Sequence, residues 1–491
     1  MTFPAGLHFD NHFARLGPAF SSVLPPTPLP DPYLVSANAD VAALLDLDPA
    51  ILATSEFVSI AAGNALPPGA EPVSMLYAGH QFGHLVPQLG DGRAILVGQL
   101  RNSRGESWDL QLKGAGQTPY SRMGDGRAVL RSSIREYLGS EAMHHLGIPS
   151  TRALAVVGSD QPVFRETVET AAVLVRVAPS HVRFGSFEVF FYRDQAAAIE
   201  TLAEYVIEHD FTWIGGSRGR PARYQALLGE VTERTARMIA QWQAVGFAHG
   251  VMNTDNMSVL GLTFDYGPYG FMETWDPDFI CNHSDDSGRY AFSNQPNIGF
   301  WNLCCLAQAL TPLLPVEQCR EALARYEPEY RATLAALYRG KLGLRGERDE
   351  DPGLLSGVLQ LLRENQVDYP MFFRALCGFG TGPAEKNVAV RNLFQAPEAF
   401  DAWSAAYRTR LGHEGVPDDE RQAGMRKINP RYILRNWLAQ RAIDRAQNRD
   451  FSEVDRLLNL LRRPFDDQPG FEEYAGPAPE GVVIPSVSCS S

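Results

Sequence analysis

The sequence predicts an α+β protein of two lobes, with a β-rich amino-terminal lobe that contains one inserted helix and a mainly helical carboxy-terminal lobe. Between residues 94 and 177, short runs of alternating or β-branched apolar residues are typical of strands. One helical pattern, from about Ala128 to His145, interrupts these runs. Beyond about Gln195 the apolar residues recur at helical spacing instead.

The amino-terminal lobe is expected to cover residues 1–178. It begins with a proline-rich stretch to about Pro72, which predicts an irregular wrap or a few short helices. In the inserted helix, apolar residues recur at every fourth position from Leu130 to Ala142, and Gly147 and Pro149 end the pattern. The strands of this lobe are predicted over Ala94–Leu100, Trp108–Lys113, Thr151–Val157 and Ala171–Val177.

The carboxy-terminal lobe is expected to cover residues 179–463. Its sequence predicts a long amphipathic helix over Tyr224–Val245, a polar loop over His249–Asn256 and a short apolar strand over Ser258–Phe264. Residues 464–491 are acidic and then rich in Pro, Gly and Ser, which predicts a flexible tail that carries Cys489.

The composition is that of an ordinary globular protein, with 45% hydrophobic and 21% charged residues in a chain of 491. A formal net charge of −13 argues against an extended basic surface for nucleic acid. No uncharged apolar run is long enough to cross a membrane, and residues 1–24 lack a secretory signal pattern. The six cysteines form no C-x-x-C pair, which argues against a structural zinc site. We therefore expect a cytoplasmic protein with neither a nucleic-acid nor a membrane partner.

Lys113 ends a predicted strand, and Glu136 lies in the helix that follows. A buried lysine needs a carboxylate that holds it charged and oriented before it can meet phosphate oxygens. A strand lysine followed by a helix glutamate is the arrangement of protein kinases, whose second lobe is also helical. Taken alone, the two residues also fit a strand end and a solvated helix face.

Asn256 closes the polar loop, and Asp265 begins an Asp-Tyr-Gly sequence behind the short predicted strand. In kinases an asparagine and an Asp-x-Gly aspartate in this order hold Mg²⁺ beside the phosphates, because the ion prefers oxygen ligands. The same residue types also favour plain turns. Because both pairs occur in the kinase order along one chain, the sequence favours a kinase-like nucleotide site.

One part of the kinase loop is missing. The catalytic aspartate of kinases would lie five positions before Asn256, where this sequence has Val251. Valine cannot accept a proton, which argues against conventional transfer of the γ-phosphoryl group. Asp255 is the nearest carboxylate, and from the residues alone it is either a general base or a turn residue.

Two further features of the sequence are typical of a site that binds an anion. The pentapeptide Gly-Asp-Gly-Arg-Ala occurs at residues 90–94 and 124–128, and glycine-rich turns offer backbone N–H groups to phosphates. Arg176 and Arg183 flank the predicted junction of the lobes in an otherwise apolar stretch. At that junction, with Lys113 nearby, the two arginines are expected to clamp phosphate charge.

Together these motifs resemble the selenoprotein O family of kinase-like proteins. The resemblance extends from the Phe-Asp-Asn at residues 9–11 through Lys-Gly-Ala-Gly-Gln-Thr-Pro-Tyr-Ser from Lys113 and His-Gly-Val-Met-Asn-Thr-Asp-Asn from His249 to the Cys-Ser-Ser end. It implies a kinase fold that binds ATP in a flipped orientation and transfers AMP to Ser, Thr or Tyr hydroxyls of proteins. ATP or UTP as the donor and Mg²⁺ or Mn²⁺ as the metal are left open.

The resemblance also implies roles for individual residues. Asp255 would accept the proton, Glu136 would orient Lys113, and Asn256 and Asp265 would hold the metal. The residues implied to bind the nucleotide are Gly90, Gly92, Arg93, Lys113, Asp125, Gly126, Arg176, Arg183 and Asp265.

Three functions are weighed on this basis. Transfer of AMP to proteins accounts for Val251, the two arginines and the retained metal residues together. A conventional kinase for a small molecule or a protein would have to work without an aspartate at position 251. A non-catalytic nucleotide-binding pseudokinase would have no need of the metal ligands Asn256 and Asp265.

We also expect a redox switch between Cys281 and Cys489. Cys281 follows closely after Asp-Tyr-Gly, in the segment that gates the acceptor site of kinases, and Cys489 lies in the predicted flexible tail. The resemblance implies a reactive cysteine at this carboxy-terminal position, whereas cytosolic thiols usually stay reduced. A tail tied over this segment would exclude protein acceptors.

Peptide mapping without reductant should therefore find Cys281 joined to Cys489. Dithiothreitol should raise the activity of the wild-type protein and leave that of Cys489→Ser unchanged, because the variant cannot form the bridge. A missing linked peptide together with activity that ignores the reductant would contradict the switch.

Overall fold

A computed structural model of the protein describes residues 8–216, 219–382 and 387–488. Among these residues, no helix is both long enough and apolar enough to cross a membrane. The described strands are β1 (His8–Phe9), β2 (Ser21–Val23), β3 (Tyr33–Ala37), β4 (Val73–Met75), β5 (Gly79–Gln81), β6 (His84–Val86), β7 (Ala94–Arg101), β8 (Ser107–Lys113), β9 (Ala128–Val129), β10 (Arg152–Phe164), β11 (Val168–Ala178), β12 (Phe247–Ala248) and β13 (Gly270–Phe271).

The α-helices of the described chain occur in both lobes and become dominant after β11. They are α1 (Ala39–Leu44), α2 (Ser55–Ala61), α3 (Leu130–His145), α4 (Phe184–Phe191), α5 (Ala196–His209), α6 (Arg220–Val245), α7 (Gln295–Ala309), α8 (Val316–Leu323), α9 (Tyr326–Lys341), α10 (Asp351–Glu364), α11 (Tyr369–Leu376), α12 (Val388–Arg391), α13 (Pro397–Gly412), α14 (Asp418–Arg426), α15 (Asn436–Ala446) and α16 (Ser452–Leu461). The predicted α+β architecture, a sheet followed by a helical part, is confirmed.

One antiparallel sheet forms the centre of the amino-terminal lobe. Its strands follow the order β2-β4-β7-β8-β11-β10-β3, with β1 paired to β7 and β9 to β11. The register sets Lys113 opposite Leu174 and Gln111 opposite Arg176. Because side chains alternate along a strand and cross-strand partners share a face, Lys113 and Arg176 lie on the same face of the sheet. The register of β8 and β11 therefore sets the relative positions of two cations of the site, Lys113 and Arg176.

The proline-rich first stretch contains more sheet than its sequence predicts. Besides the expected short helices α1 and α2, it contributes β1, β2 and β3 to the main sheet. These strands are only two, three and five residues long. Segments this short carry too few residues for a period of two to be recognised, and their pairing depends on distant strands.

Helix α3 packs against the sheet beside β10 and β11. Its inward side chains Ile134, Tyr137 and Leu138 are completely buried. Arg152 of β10 donates two hydrogen bonds to the carboxylate of Glu141, at 2.9 and 2.8 Å. This buried bidentate ion pair fixes the helix against the strand, and with it the position of Glu136 one turn earlier.

Helix α6 is the long amphipathic helix predicted from the sequence, and it packs against α7, α8 and α9. It begins with a proline in its first turn and ends at Gly246, whose φ of +74° lies in the left-handed region that favours glycine. Near its end Trp242 Nε1 donates to Thr263 Oγ1 at 2.8 Å. The helix thereby supports the loop that precedes Asp265.

The strand predicted over Ser258–Phe264 is wrong. In its place are two isolated bridges, Ser258 with Arg183 and Thr263 with Ser150, on either side of a turn. The turn occurs at Gly261, whose φ is +67°. A left-handed residue in the middle of the segment breaks the extended path, so its apolar residues are buried without a continuous ladder.

Replacing Glu141 by alanine should destabilise the protein, because Arg152 would be left as an unpaired buried charge. We expect the free energy of unfolding to fall by about 3–5 kcal/mol, measured by chemical denaturation. His144→Ala, at an exposed position of the same helix, should change it by less than about 0.5 kcal/mol. Equal stability of the two variants would show that the ion pair does not fix α3.

Candidate active site

A cavity of about 560 Å³ lies between the sheet and the loop that carries residues 251–268. The lining includes most of the residues that the sequence singles out. Among them are Gly90, Gly92, Arg93, Lys113, Asp125, Gly126, Arg176, Val251, Asp255, Asn256 and Asp265. Glu136 and Arg183 are not part of the lining, and both are buried directly behind it.

Lys113 and Glu136 form the ion pair expected of a strand lysine and a helix glutamate. Lys113 Nζ donates to Glu136 Oε2 at 2.5 Å, and Arg176 Nε donates to the other oxygen, Oε1, at 2.5 Å. Burial, together with the neighbouring charge of Arg176, lowers the pKa of Lys113 to about 8 although Glu136 opposes the shift. One glutamate therefore orients two cations of the cavity.

Asp265 joins this cluster from the other lobe. Its carboxylate accepts hydrogen bonds from Arg176 and, at 2.8 Å, from Arg183 Nη1, and Lys113 Nζ lies 3.8 Å from Oδ1. Burial alone would raise the pKa of this carboxyl, but the charges of Arg176, Arg183 and Lys113 hold it well below its usual range. Asp265 is therefore a permanent carboxylate, with a left-handed backbone at φ +58°.

Arg183 is held from both faces. Its guanidinium lies 4.3 Å from the ring centroid of Tyr77 and 4.6 Å from that of Phe264. It also donates to the backbone oxygen of Asp255 at 2.8 Å. Its Nη2 is buried and has no hydrogen-bond partner among the described residues. Arg183 thus binds the carboxylate of Asp265 and the backbone of Asp255 from behind the cavity.

The loop after β12 presents Asp255 and Asn256 from a short 3-10 helix, Thr254–Asn256. Asp255 Oδ2 accepts a hydrogen bond from Gln81 Nε2 at 3.3 Å, whereas Oδ1 is buried and has no partner in the described chain. Burial raises the pKa of Asp255 to about 7, although the charge of Arg183 opposes the shift. Asp255 is therefore poised to exchange a proton near neutral pH.

The donor set fits a hard divalent cation. Asn256 Nδ2 donates to the backbone oxygen of Val251 at 3.0 Å, which leaves the amide oxygen of Asn256 available. Asp265 and Asn256 both line the cavity and offer only oxygen atoms, which suit Mg²⁺ or Mn²⁺. The unpartnered oxygen of neighbouring Asp255 is a further sign that this corner is built for a charged ligand.

The glycine-rich turns are set by close packing. At Gly90, φ is +138°, and a Cβ would lie 2.4 Å from the ring of Tyr120. At Gly126, φ is +71°, and a Cβ would lie 2.1 Å from the backbone of Gly116. Neither position can accept a side chain without movement of its neighbours. Asp125, which precedes Gly126, is held by Arg165. The two terminal nitrogens of Arg165 donate hydrogen bonds to its carboxylate at 2.8 and 2.9 Å.

Comparison with known proteins shows the family to which the chain belongs. The family model described as protein adenylyltransferase SelO matches residues 5–462. The chain belongs to the SelO family. Curated relatives called protein nucleotidyltransferase YdiU, from Myxococcus xanthus, Thiobacillus denitrificans and Pseudomonas fluorescens, are 56%, 55% and 53% identical to it, over 99% of both chains in each case. These matches confirm the resemblance drawn from the motifs and the enzyme class, a nucleotidyltransferase.

Three contributors to the site of this SelO-family enzyme were assigned no role from the sequence. Gln81 contacts Asp255, Arg165 holds Asp125, and Asp91 lies 3.9 Å from Arg183 while it accepts hydrogen bonds from Met75 and Gln111. Burial raises the pKa of Asp91. Asp91 lies in the Gly-Asp-Gly-Arg-Ala sequence at residues 90–94, and for Gln81 the signal was the polar run Gly-His-Gln-Phe-Gly-His at residues 79–84, which interrupts an apolar region.

The tail lies beside the site as far as it is described. Tyr474 and Gln468 are buried, the backbone oxygen of Val487 accepts from His283 N at 2.8 Å, and Ser488 Oγ donates to Glu166 at 3.2 Å. It therefore contacts both lobes. Cys489 lies outside the described residues, so its bridge to Cys281 stays a prediction.

Asp265→Asn should abolish most nucleotidyl transfer while the fold is retained. The variant removes a carboxylate shared by two arginines and a candidate metal ligand, and asparagine tolerates the left-handed backbone. We expect the initial rate to fall by about 10²–10³-fold, with folding checked by circular dichroism.

The control is Asp286→Asn, a charge-matched change at an exposed position, which should retain the wild-type rate. A folded Asp265→Asn protein as active as this control would show that the metal and charge centre lies elsewhere.

Proposed function

We propose that this SelO-family enzyme transfers AMP from ATP to Ser, Thr or Tyr hydroxyls of proteins in the presence of Mg²⁺ or Mn²⁺, with release of pyrophosphate. One observation carries the proposal. Val251 occupies the position of the kinase base, while Asp255, beside the metal residue Asn256, offers a buried carboxylate oxygen without a partner in the described chain. The proposed base, Asp255, therefore lies further along the loop than the base of kinases. This displacement favours reaction at the α-phosphorus instead of the γ-phosphorus.

The charges of the cavity support a nucleotide with its triphosphate turned inward. Arg93, Lys113 and Arg176 line the cavity, and the buried charge of Arg183 lies behind it. Cationic side chains at this depth would neutralise the β- and γ-phosphates. The α-phosphorus would then be the reactive centre that remains near Asp255.

The proposed reaction is a single displacement. The acceptor hydroxyl gives its proton to Asp255, its oxygen bonds to the α-phosphorus, and the bond from that phosphorus to the bridging oxygen of the β-phosphate breaks. Arg93, Lys113 and Arg176 stabilise the pyrophosphate that leaves. A divalent metal held by Asn256 and Asp265 would supply further charge neutralisation.

The glycine turns are proposed to close over the nucleotide. Gly90, Gly92 and Gly126 line the cavity with backbone, and a Cβ at any of them would collide with neighbouring protein atoms. Asp125, kept charged and oriented by Arg165, is proposed to accept from the nucleotide's hydroxyl or amino groups. UTP would satisfy the same phosphate contacts, so a UMP transfer is a second form of the same reaction.

Incubation with ATP labelled at the α-phosphate should place label in protein, whereas γ-labelled ATP should release its label as pyrophosphate. The reason is that bond formation is proposed at the α-phosphorus. Scintillation counting of precipitated protein and chromatography of the pyrophosphate measure the two outcomes.

The Asp265→Asn protein serves as the inactive control for both labels. Transfer of the γ label with release of ADP would contradict the proposal and restore a conventional kinase. Nucleotide binding without transfer of either label would favour a pseudokinase.

A further inference from the structure

The hairpin of β5 and β6 rests directly on the loop that carries Asp255. It lies outside the main sheet, and its backbone and side chains donate three hydrogen bonds to that loop. His80 N donates to Thr254 Oγ1 at 2.7 Å, Phe82 N to the side chain of Asn253 at 3.2 Å, and Gln81 Nε2 to Asp255 Oδ2 at 3.3 Å. Each donor meets a different residue, so the hairpin follows the loop along its length.

The closest contact is between Gly79 and Asp255. A Cβ placed on Gly79 would lie 2.3 Å from Asp255 Oδ1 and 2.8 Å from its Cβ, distances that no real side chain permits. The Asp255 carboxylate therefore packs on bare backbone at Gly79 while Gln81 holds its other oxygen. Two residues of one strand thus define where this carboxylate lies.

Glu188 of α4 binds both the hairpin and the loop. This carboxylate is 1% exposed, and its Oε1 lies 2.6 Å from His80 Nδ1. Its Oε2 accepts a hydrogen bond from the hydroxyl of Thr254. Because one buried glutamate binds both partners, the hairpin cannot shift relative to the loop without leaving a charge unpaired.

The group His80, Glu188 and Cys305 has its possible ligand atoms within 4.8 Å of one another. Both oxygens of Glu188 are already engaged by His80 and Thr254. These contacts identify the group as the anchor of the hairpin and give no reason to assign a metal to it.

We propose that Gln81 is a positioning residue for the transfer reaction, and this inference rests on the proposed role of Asp255 as proton acceptor. The amide of Gln81 holds Oδ2 of Asp255 while the backbone at Gly79 packs against Oδ1, so the carboxylate is kept in one orientation at the wall of the cavity, where the acceptor hydroxyl would meet it. Gln81 then acts through Asp255 and contributes to the rate of transfer, not to the binding of ATP.

The test compares Gln81→Ala with Gln81→Met, which retains most of the side-chain volume but lacks the donor. If the hydrogen bond matters, both variants lower kcat by about 10–100-fold and leave KM for ATP within about two-fold of wild type. His84→Ala is the matched control, because His84 is exposed and lies directly opposite Gln81 in the hairpin. It should retain the wild-type kcat.

A double-mutant comparison with Asp255→Ala distinguishes a positioning role of Gln81 from a packing role. In the Asp255→Ala background, measured in long single-turnover incubations with α-labelled ATP, Gln81→Met should cause no further loss, because the group on which it acts is absent. Full activity of Gln81→Met in the wild-type background, or an equal further loss in the Asp255→Ala background, overturns the inference. A rise in KM at unchanged kcat also overturns it and makes Gln81 a nucleotide contact.

The same assay distinguishes failure of the proposed function from failure of the proposed role of Gln81. If the wild-type protein moves no α label into protein, the proposed function fails before Gln81 is compared. If the wild type transfers the α label and Gln81→Met does so equally fast, the function stands and only the positioning role is lost.

Discussion

The carboxylate of Asp265 is shared by Arg176 and Arg183, and through these contacts the helical lobe is fixed against the sheet. Arg176 belongs to β11 and also binds Glu136 of α3, which in turn holds Lys113 of β8. Four elements thus meet in one buried network. Because each buried charge is costly without its partner, the network is stable only when the strand, the helix and the loop are all in register.

This constraint explains several features around the cavity. The ion pair of Glu141 and Arg152 holds α3 against the sheet in the position that places Glu136 beside Lys113. Trp242 supports the segment before Asp265, and the glycine at 261 lets that segment turn instead of extending as a strand. The glycines at the turns allow the backbone to pack closely where a Cβ would collide with Tyr120 or with the backbone of Gly116. The fold therefore serves to hold opposed charges at a fixed separation around an anion site.

The sequence was sufficient for the parts of the site that depend on local order. Lys113 at a strand end, Glu136 in the next helix and Asp265 in Asp-Tyr-Gly follow from patterns within short segments, and the structure brings the three side chains together. It was insufficient where the contact joins distant segments. Gln81 and Asp255 are 174 residues apart, and nothing in either segment indicates their pairing. The strands β1 to β3 were missed for the same reason, since each gains its pairing only from a remote partner.

A crystal structure with a non-hydrolysable ATP analogue and Mn²⁺ tests most directly whether the charge network turns the triphosphate inward. We expect the terminal phosphate beside Arg176 and Lys113, the α-phosphorus nearest Asp255, and anomalous scattering from Mn²⁺ at Asn256 and Asp265. A terminal phosphate nearest Asp255, with the α-phosphorus deep in the cavity, would contradict the proposed orientation and with it the transfer of AMP.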